Sequence, residues 1–385
     1  MGMVASRAWA KERRPTRHVD AALIAVTVAM VVAGLFLLYS ATSQTLRQDG
    51  LDPFARVERQ IVTAVLGLVL LLVVASFDYR FLKVYAGFIY LGVLVALVLV
   101  LVPGLGTTDV TGTAQSWFEI AGFQVTPSEF MKLGLIVMLA TLMSELRSLT
   151  PSVQDLVRLT GVAIVPVVLV FVQPDLGTSI TMVAITVGML IVAGTRPLHL
   201  GVLAVSAVVL ILLAFQVGAI KEYQVDRLTT LFDPQNSSAS ARYNLDQSLI
   251  AVGSGGMFGR GYLGGSQTSL DYVPEQHTDF IFTVVGEEFG FVGAIFVLGL
   301  YAILLWRAVR IAFLSKDPFG TYLAAGVASM FAIQMFVNVG MVIGIMPITG
   351  IPLPFISHGG ASLISIALAL GILQSINIRQ GRAEW

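Results

Sequence analysis

The sequence has no cysteine, which excludes disulfides, thiol chemistry and thiolate metal sites. It is poor in charge: only 12% of its 385 residues are Asp, Glu, Lys or Arg, where a soluble domain carries about 25%. So few charges cannot wet a large aqueous surface. It has no net charge, which argues against a nucleic-acid partner. Its histidines stand at 18, 199, 277 and 358, a scatter without metal-ligand spacing. No internal repeat is evident, which counts against a transporter built from duplicated halves. A small-residue cleavage site is also missing after the first apolar run, so that run reads as a retained helix.

What the sequence has instead is apolar length. Hydrophobic residues make up 56%, and runs of membrane-spanning length recur from residue 21 to residue 378. The pattern predicts an all-α, polytopic membrane protein with ten transmembrane helices. The spans fall at about 21–40, 60–76, 84–103, 128–145, 158–173, 176–194, 198–216, 278–305, 320–345 and 357–378. One membrane domain, 21–378, then lies between tails at 1–20 and 379–385. With both tails in the cytoplasm, inside segments hold fifteen Lys/Arg and outside segments seven, four of them in one long loop. That bias fixes the orientation.

This topology leaves two outer loops of interest. Residues 104–127 are rich in Gly and Thr and carry Trp117. Residues 217–277 form a large extracellular loop, far longer than a helix connection needs, and a loop of that length favours function. Seven glycines crowd residues 253–265, a density that suits either close backbone approach or simple loop punctuation.

Polar groups near a bilayer are costly and mark candidate sites. Asp279 follows Pro274, which suits a helix start, and precedes the apolar run Phe280-Ile281-Phe282. The pattern predicts an ionised carboxylate at the outer boundary, wetted by water and headgroups; the alternative is an acid that merely finishes a helix end. Glu129 and Lys132 share one face of the fourth span, either as a local ion pair or as a pair for substrate. Glu287 and Glu288 read as protonated or paired structural carboxylates, and Asp175 reads as a helix cap. Gln334 and Asn338, one turn apart, read as interhelical hydrogen-bonding groups. Three prolines within residues 347–354 force a rigid non-helical connection before the last span. That span opens on Ser357-His358-Gly359-Gly360-Ala361-Ser362, where small residues permit close packing and free N–H groups suit a phosphate.

These motifs together resemble the SEDS family (shape, elongation, division and sporulation proteins), and within it the RodA branch more than the FtsW branch. The matching segments are Gln173-Pro174-Asp175-Leu176-Gly177-Thr178-Ser179, Gln247-Ser248 with Gly253-Ser254-Gly255-Gly256, and Pro274-Glu275-Gln276-His277-Thr278-Asp279-Phe280-Ile281-Phe282. Asn338-Val339-Gly340-Met341 and residues 347–360 complete the pattern, which spans nearly the whole chain. The family usually carries Arg where this chain has Ser116, and often Tyr where it has His358.

The resemblance implies a peptidoglycan glycosyltransferase that polymerises lipid II into glycan strands at the outer face of the bacterial cytoplasmic membrane. Asp279 matches the family's essential aspartate, and Glu129 and Lys132 its charged pair. The expected mechanism has Asp279 as general base on a sugar hydroxyl. Lys132 stabilises the departing pyrophosphate, and Trp117, Ser357 and Gly359 complete the substrate contacts. No cofactor is evident; a divalent cation such as magnesium or manganese is an optional helper. Expected partners are lipid II, the nascent glycan strand, a class B penicillin-binding protein transpeptidase, other elongation-complex membrane proteins and membrane lipids. The rival expectation is a lipid II flippase, which moves the headgroup without breaking a bond.

Overall fold

The computed structural model describes residues 19–102, 106–108, 115–120, 123–146, 150–216, 222–233, 238–270 and 272–380. Residues 1–18 of the expected tail at 1–20, residues 381–385 of the expected tail at 379–385, and parts of both expected loops lie outside the described residues. The elements in order are α1 (Ala21–Gln48), α2 (Ala55–Ser76), α3 (Arg80–Val84), α4 (Ala86–Val100), β1 (Thr107–Thr108), β2 (Gln115–Ile120), β3 (Phe123–Val125) and α5 (Pro127–Ser144). They continue with α6 (Val153–Val172), α7 (Leu176–Val192), α8 (Pro197–Gln216), α9 (Glu222–Phe232), α10 (Ala239–Ser254), α11 (Ser266–Ser269), α12 (Ile281–Leu314), α13 (Pro318–Val342) and α14 (Gly360–Gln380).

Seven of these helices, α1, α2, α5, α6, α12, α13 and α14, are long and apolar enough to cross a membrane. Shorter apolar helices occupy Ala86–Val100, Leu176–Val192 and Pro197–Leu210. α5, α13 and α14 are largely buried, whereas α1, α2, α6 and α12 turn many Val, Leu and Phe side chains outward. Exposed apolar surface on this scale belongs against lipid, and the chain is a multi-pass membrane protein.

The helix ends follow local chemistry. Asp20 caps α1 by accepting from Leu23 N, Ser152 and Asp155 form a capping box on α6, and Asp317 with Pro318 starts α13. Interior contacts rely on small residues. A Cβ on Gly371 would stand 2.9 Å from Leu71 O of α2, and one on Gly326 would stand 2.6 Å from Ile136 of α5.

Three sequence expectations change. Residues 104–127 are not simply a loop, because β1, β2 and β3 form a small antiparallel sheet in which Thr107 faces Trp117 and Phe118 faces Val125. Residues 217–277 are not simply a loop either, since α9, α10 and α11 lie within them. The eighth apolar run is longer than expected, 34 residues in α12, and it is broken at Gly290, whose φ is 65° and ψ −158°.

The glycine-rich segment explains that break. Arg260 N and Gly261 N donate to Glu287 O and Glu288 O, while Phe291 N and Val292 N donate to Gly256 O and Met257 O. The segment supplies the backbone partners that a broken helix would otherwise lack. A Cβ on Gly255 would lie 1.9 Å from Gly286 O, and one on Gly259 would lie 2.1 Å from Glu288 O. The glycines therefore serve close approach of backbone to backbone. Glu287 and Glu288 are structural, as expected. Glu287 accepts from Gln267 N, Thr268 N and Thr268 Oγ1, and Glu288 accepts from Ser40 Oγ.

Ion pairs lock several helix ends. At one end of the bundle Arg307 holds Asp20 at 2.5 Å, Arg80 holds Asp317, and Arg379 holds Asp78. The other end gathers the start of α2, α5, α7, α12 and α14 around residue 279.

Candidate active site

The segment 274–280 is a turn and not the first turn of a helix, because α12 begins at Ile281. Pro274 therefore does not open the helix, and Asp279 stands two residues before it. Glu275, with φ at 51°, places its carbonyl to accept from the N–H groups of Thr278, Asp279 and Phe280. A non-glycine residue in this region is strained and needs outside support. That support comes from three sides. Gln276 Nε2 donates to Thr268 Oγ1 and Thr283 Oγ1. Asn338 Nδ2 donates to Asp279 O and Ile351 O, each at 2.7 Å. His358 N donates to His277 O at 3.0 Å. Asn338 thus bonds between segments as its sequence context suggests. Gln334 does not: it is fully buried and neither amide atom has a partner among the described residues.

The carboxyl group of Asp279 has Gly350 as a wall, since a Cβ there would stand 3.3 Å from Oδ2. Arg227 of α9 reaches the same place and donates from Nη1 to Thr349 O at 3.3 Å. The Asp279 side chain keeps some exposed area but is densely surrounded by protein. Burial pushes its pKa up to about 7, Glu275 adds to the rise, Arg227 opposes it and Asp175 contributes a little more. The expectation of a carboxylate held ionised by water is corrected: near neutrality this group is poised between its two forms. Arg227 is one of the four Lys/Arg of the long outer loop, and no linear motif ties it to residue 279.

The other predicted residues are distributed around this centre. Lys132 Nζ donates to both Glu129 oxygens at 2.8 Å, and Lys132 is only 2% exposed. The local ion pair is therefore formed, the lysine does not snorkel, and it makes no hydrogen bond or ion pair with Asp279 among the described residues. Ser365 Oγ of α14 donates to Glu129 O, which joins this pair to the last helix. Asp175 caps α7 through Thr178 N, as expected, and also accepts from Ser128 Oγ at the start of α5. A Cβ on Gly177 would strike Thr349 O at 2.7 Å, so α7 packs directly against the loop that walls Asp279.

Ser357 is 6% exposed and its Oγ accepts from Leu353 N at 2.8 Å, while Ser357 O and Gly359 N both engage the Gln60 amide of α2. Both residues precede α14, which begins at Gly360 and not at 357. Trp117 lies on β2, where its carbonyl accepts from Thr107 Oγ1, and it has no hydrogen bond to the Asp279 turn among the described residues. Among the described residues no three His, Asp or Glu side chains cluster as a metal cage.

Residues 20–381 match the family of FtsW, RodA and SpoVE, described as cell cycle proteins. The chain belongs to this family. Among its FtsW/RodA/SpoVE relatives is stage V sporulation protein E of Bacillus subtilis, 36% identical over 93% of this chain and 96% of that protein. Another is the peptidoglycan glycosyltransferase MrdB of Escherichia coli K12, 34% identical over 94% of each chain. The probable peptidoglycan glycosyltransferase FtsW of Trichlorobacter lovleyi is 36% identical over 95% of each. Among solved structures, a peptidoglycan synthase complex that coordinates polymerization and crosslinking matches with a TM-score of 0.79 at 28% identity, covering 95% of this chain and 99% of that one. The rod shape determining protein RodA of Thermus thermophilus matches with a TM-score of 0.70 at the same identity and coverage. The SEDS resemblance read from the motifs is thereby borne out.

Proposed function

We propose that this chain is a peptidoglycan glycosyltransferase of the RodA type, polymerising lipid II at the outer face of the bacterial cytoplasmic membrane during cell elongation. The observation that carries this reading is Asp279: a near-neutral carboxyl on a turn fixed by three tethers. A general base works best with a pKa near the operating pH, and it must be held still. Names of relatives such as MrdB and FtsW support the same activity.

In this reading the seven long helices and three shorter apolar ones make ten spans, with both termini cytoplasmic and residue 279 outside. Asp279 takes the proton of an acceptor sugar hydroxyl as its oxygen bonds to the anomeric carbon of the donor. The bond from that carbon to the lipid diphosphate breaks, and the diphosphate leaves with the electron pair. Lys132 serves that leaving group only after separating from Glu129; Trp117, Ser357 and Gly359 are the further substrate contacts. A magnesium or manganese ion would arrive with the diphosphate. A class B penicillin-binding protein is the proposed cross-linking partner, supported by the synthase complex that this fold resembles.

The test uses purified protein and labelled lipid II, with products sized on a gel. Wild type makes long chains, while Asp279→Asn binds lipid II and makes none. Full polymerisation by that variant removes Asp279 from the mechanism.

A further inference from the structure

The mechanism above uses one side of the 274–280 turn, where Gly350 and Arg227 stand by Asp279. The His277 side carries groups it leaves unused. His277 and His358 approach with ring centroids 5.8 Å apart, and His358 leads directly into α14. Gln60 of α2 pins this junction, donating to Ser357 O at 3.2 Å and accepting from Gly359 N at 3.4 Å. Arg56 lies one helical turn before Gln60 on the same face of α2, so the tether brings Arg56 to the histidine pair with Arg59 beside it. The positive field of Arg56 bears on both imidazoles and that of Arg59 on His358. Neither arginine enters an ion pair among the described residues, whereas Lys132, Arg307, Arg80 and Arg379 all do.

The start of α14 adds donors. Its first ladder bond runs from Leu363 N to Gly359 O, leaving the N–H groups of Gly360, Ala361 and Ser362 ahead of the ladder. Two buried polar atoms beside them, Ser362 Oγ and His358 Nδ1, have no hydrogen-bond partner among the described residues, and Ser362 is only 8% exposed. A buried polar atom without a partner calls for an explanation, and an ion or ligand that completes its bonding is one.

We propose that Arg56 and Arg59, with the start of α14, form a docking site for the diphosphate of the lipid-linked sugar substrate. This assignment rests on the glycosyltransferase reading. A diphosphate needs several donors around it, and guanidinium forks and helix N-termini both match phosphate oxygens. Burial and Arg56 together hold the His277 pKa down to about 3, and burial with Arg56 and Arg59 holds His358 to about 4. The imidazoles are therefore neutral, offering N–H donors while the arginines supply the charge. His277 is two residues from Asp279, at most about 7 Å along the backbone. A diphosphate held there keeps its sugar within reach of the carboxylate.

The experiment titrates the purified full chain in detergent with inorganic pyrophosphate and reads the thermal midpoint. A polyprenyl diphosphate is then added as competitor. Pyrophosphate is expected to raise the midpoint of wild type and of Asp279→Asn, and the polyprenyl diphosphate to displace it. The pair Arg56→Gln with Arg59→Gln is expected to bind roughly tenfold or more weakly per arginine lost. The pair Arg56→Lys with Arg59→Lys guards against misfolding and is expected to recover part of the affinity. Undiminished binding by the glutamine pair overturns the assignment, and so does pyrophosphate binding that the polyprenyl diphosphate fails to displace. Arginine-dependent binding by a protein that polymerises nothing supports the site and removes the glycosyltransferase reading instead.

Discussion

A pH profile probes the proposed base most directly. Asp279 has its pKa lifted from 3.8 to about 7, first by burial and then by Glu275, against the pull of Arg227. At pH 6 about a tenth of such groups are ionised, and at pH 8 about nine-tenths. The kcat/KM for lipid II polymerisation should therefore rise about tenfold per pH unit below the midpoint and flatten above it. Arg227→Gln removes the opposing cation and should move the midpoint up; Glu275→Gln removes a like charge and should move it down. Linkage gives an independent reading. The folded state binds this proton more tightly than the unfolded chain, so stability falls as pH rises through the window from 3.8 to about 7. At 1.36 kcal/mol per pH unit the full cost is about 4 kcal/mol. Asp279→Asn should relieve it and raise the thermal midpoint at pH 8 while ending polymerisation. A profile flat from pH 5 to 8, or a midpoint indifferent to both neighbouring substitutions, would refute the reasoning.

Other substitutions separate positioning from packing. Asn338→Ala frees the backbone of Asp279 and Ile351 and should lower specific activity about a hundredfold while the protein still folds, as read by polymerisation rate and thermal midpoint. Gly259→Ala places a Cβ 2.1 Å from Glu288 O at φ +79° and should destabilise by at least about 2 kcal/mol. Gly253→Ala, with nothing within 4 Å inside α10, should be neutral or stabilising by up to about 1 kcal/mol in the same melting assay. Glu129→Gln strands a buried ammonium and should cost about 3–5 kcal/mol, whereas Glu129→Leu with Lys132→Met should recover most of that stability.

The membrane helices were legible because apolar length is a local signal, and the caps at Asp175 and the pair Glu129–Lys132 were legible because their partners lie three residues away. Asp279 was found as an acid beside an apolar run, but its environment was misread: the burial around it comes from Gly350, Thr349 and Arg227, distant in sequence. The small sheet was missed because strands of two to six residues leave little alternation to count. α9 and α10 were hidden because a long polar segment between spans reads as loop, although α9 carries a clear amphipathic pattern. The glycine density was noticed, yet its cause, the Gly290 break more than twenty-five residues beyond most of those glycines, is a tertiary fact.

The contrast between Asp279 and the chain's paired carboxylates ties these points together. Where Asp20, Asp317 and Asp78 meet Arg307, Arg80 and Arg379, each charge has its partner and helix ends are locked. Where Asp279 stands, the nearest cation already donates to a backbone carbonyl, the nearest acid repels it, and two arginines on α2 face neutral histidines. The sequence pairs other buried charges, as at Asp20–Arg307 and Glu129–Lys132, yet Asp279 enters no ion pair among the described residues. Keeping Asp279 half-ionised costs stability, and the tethers from Gln276, Asn338 and His358 offset that cost by fixing the turn. A fold retains such an imbalance when an incoming molecule supplies the missing partner charges, and a substrate carrying a hydroxyl to be deprotonated and a diphosphate to be held supplies both.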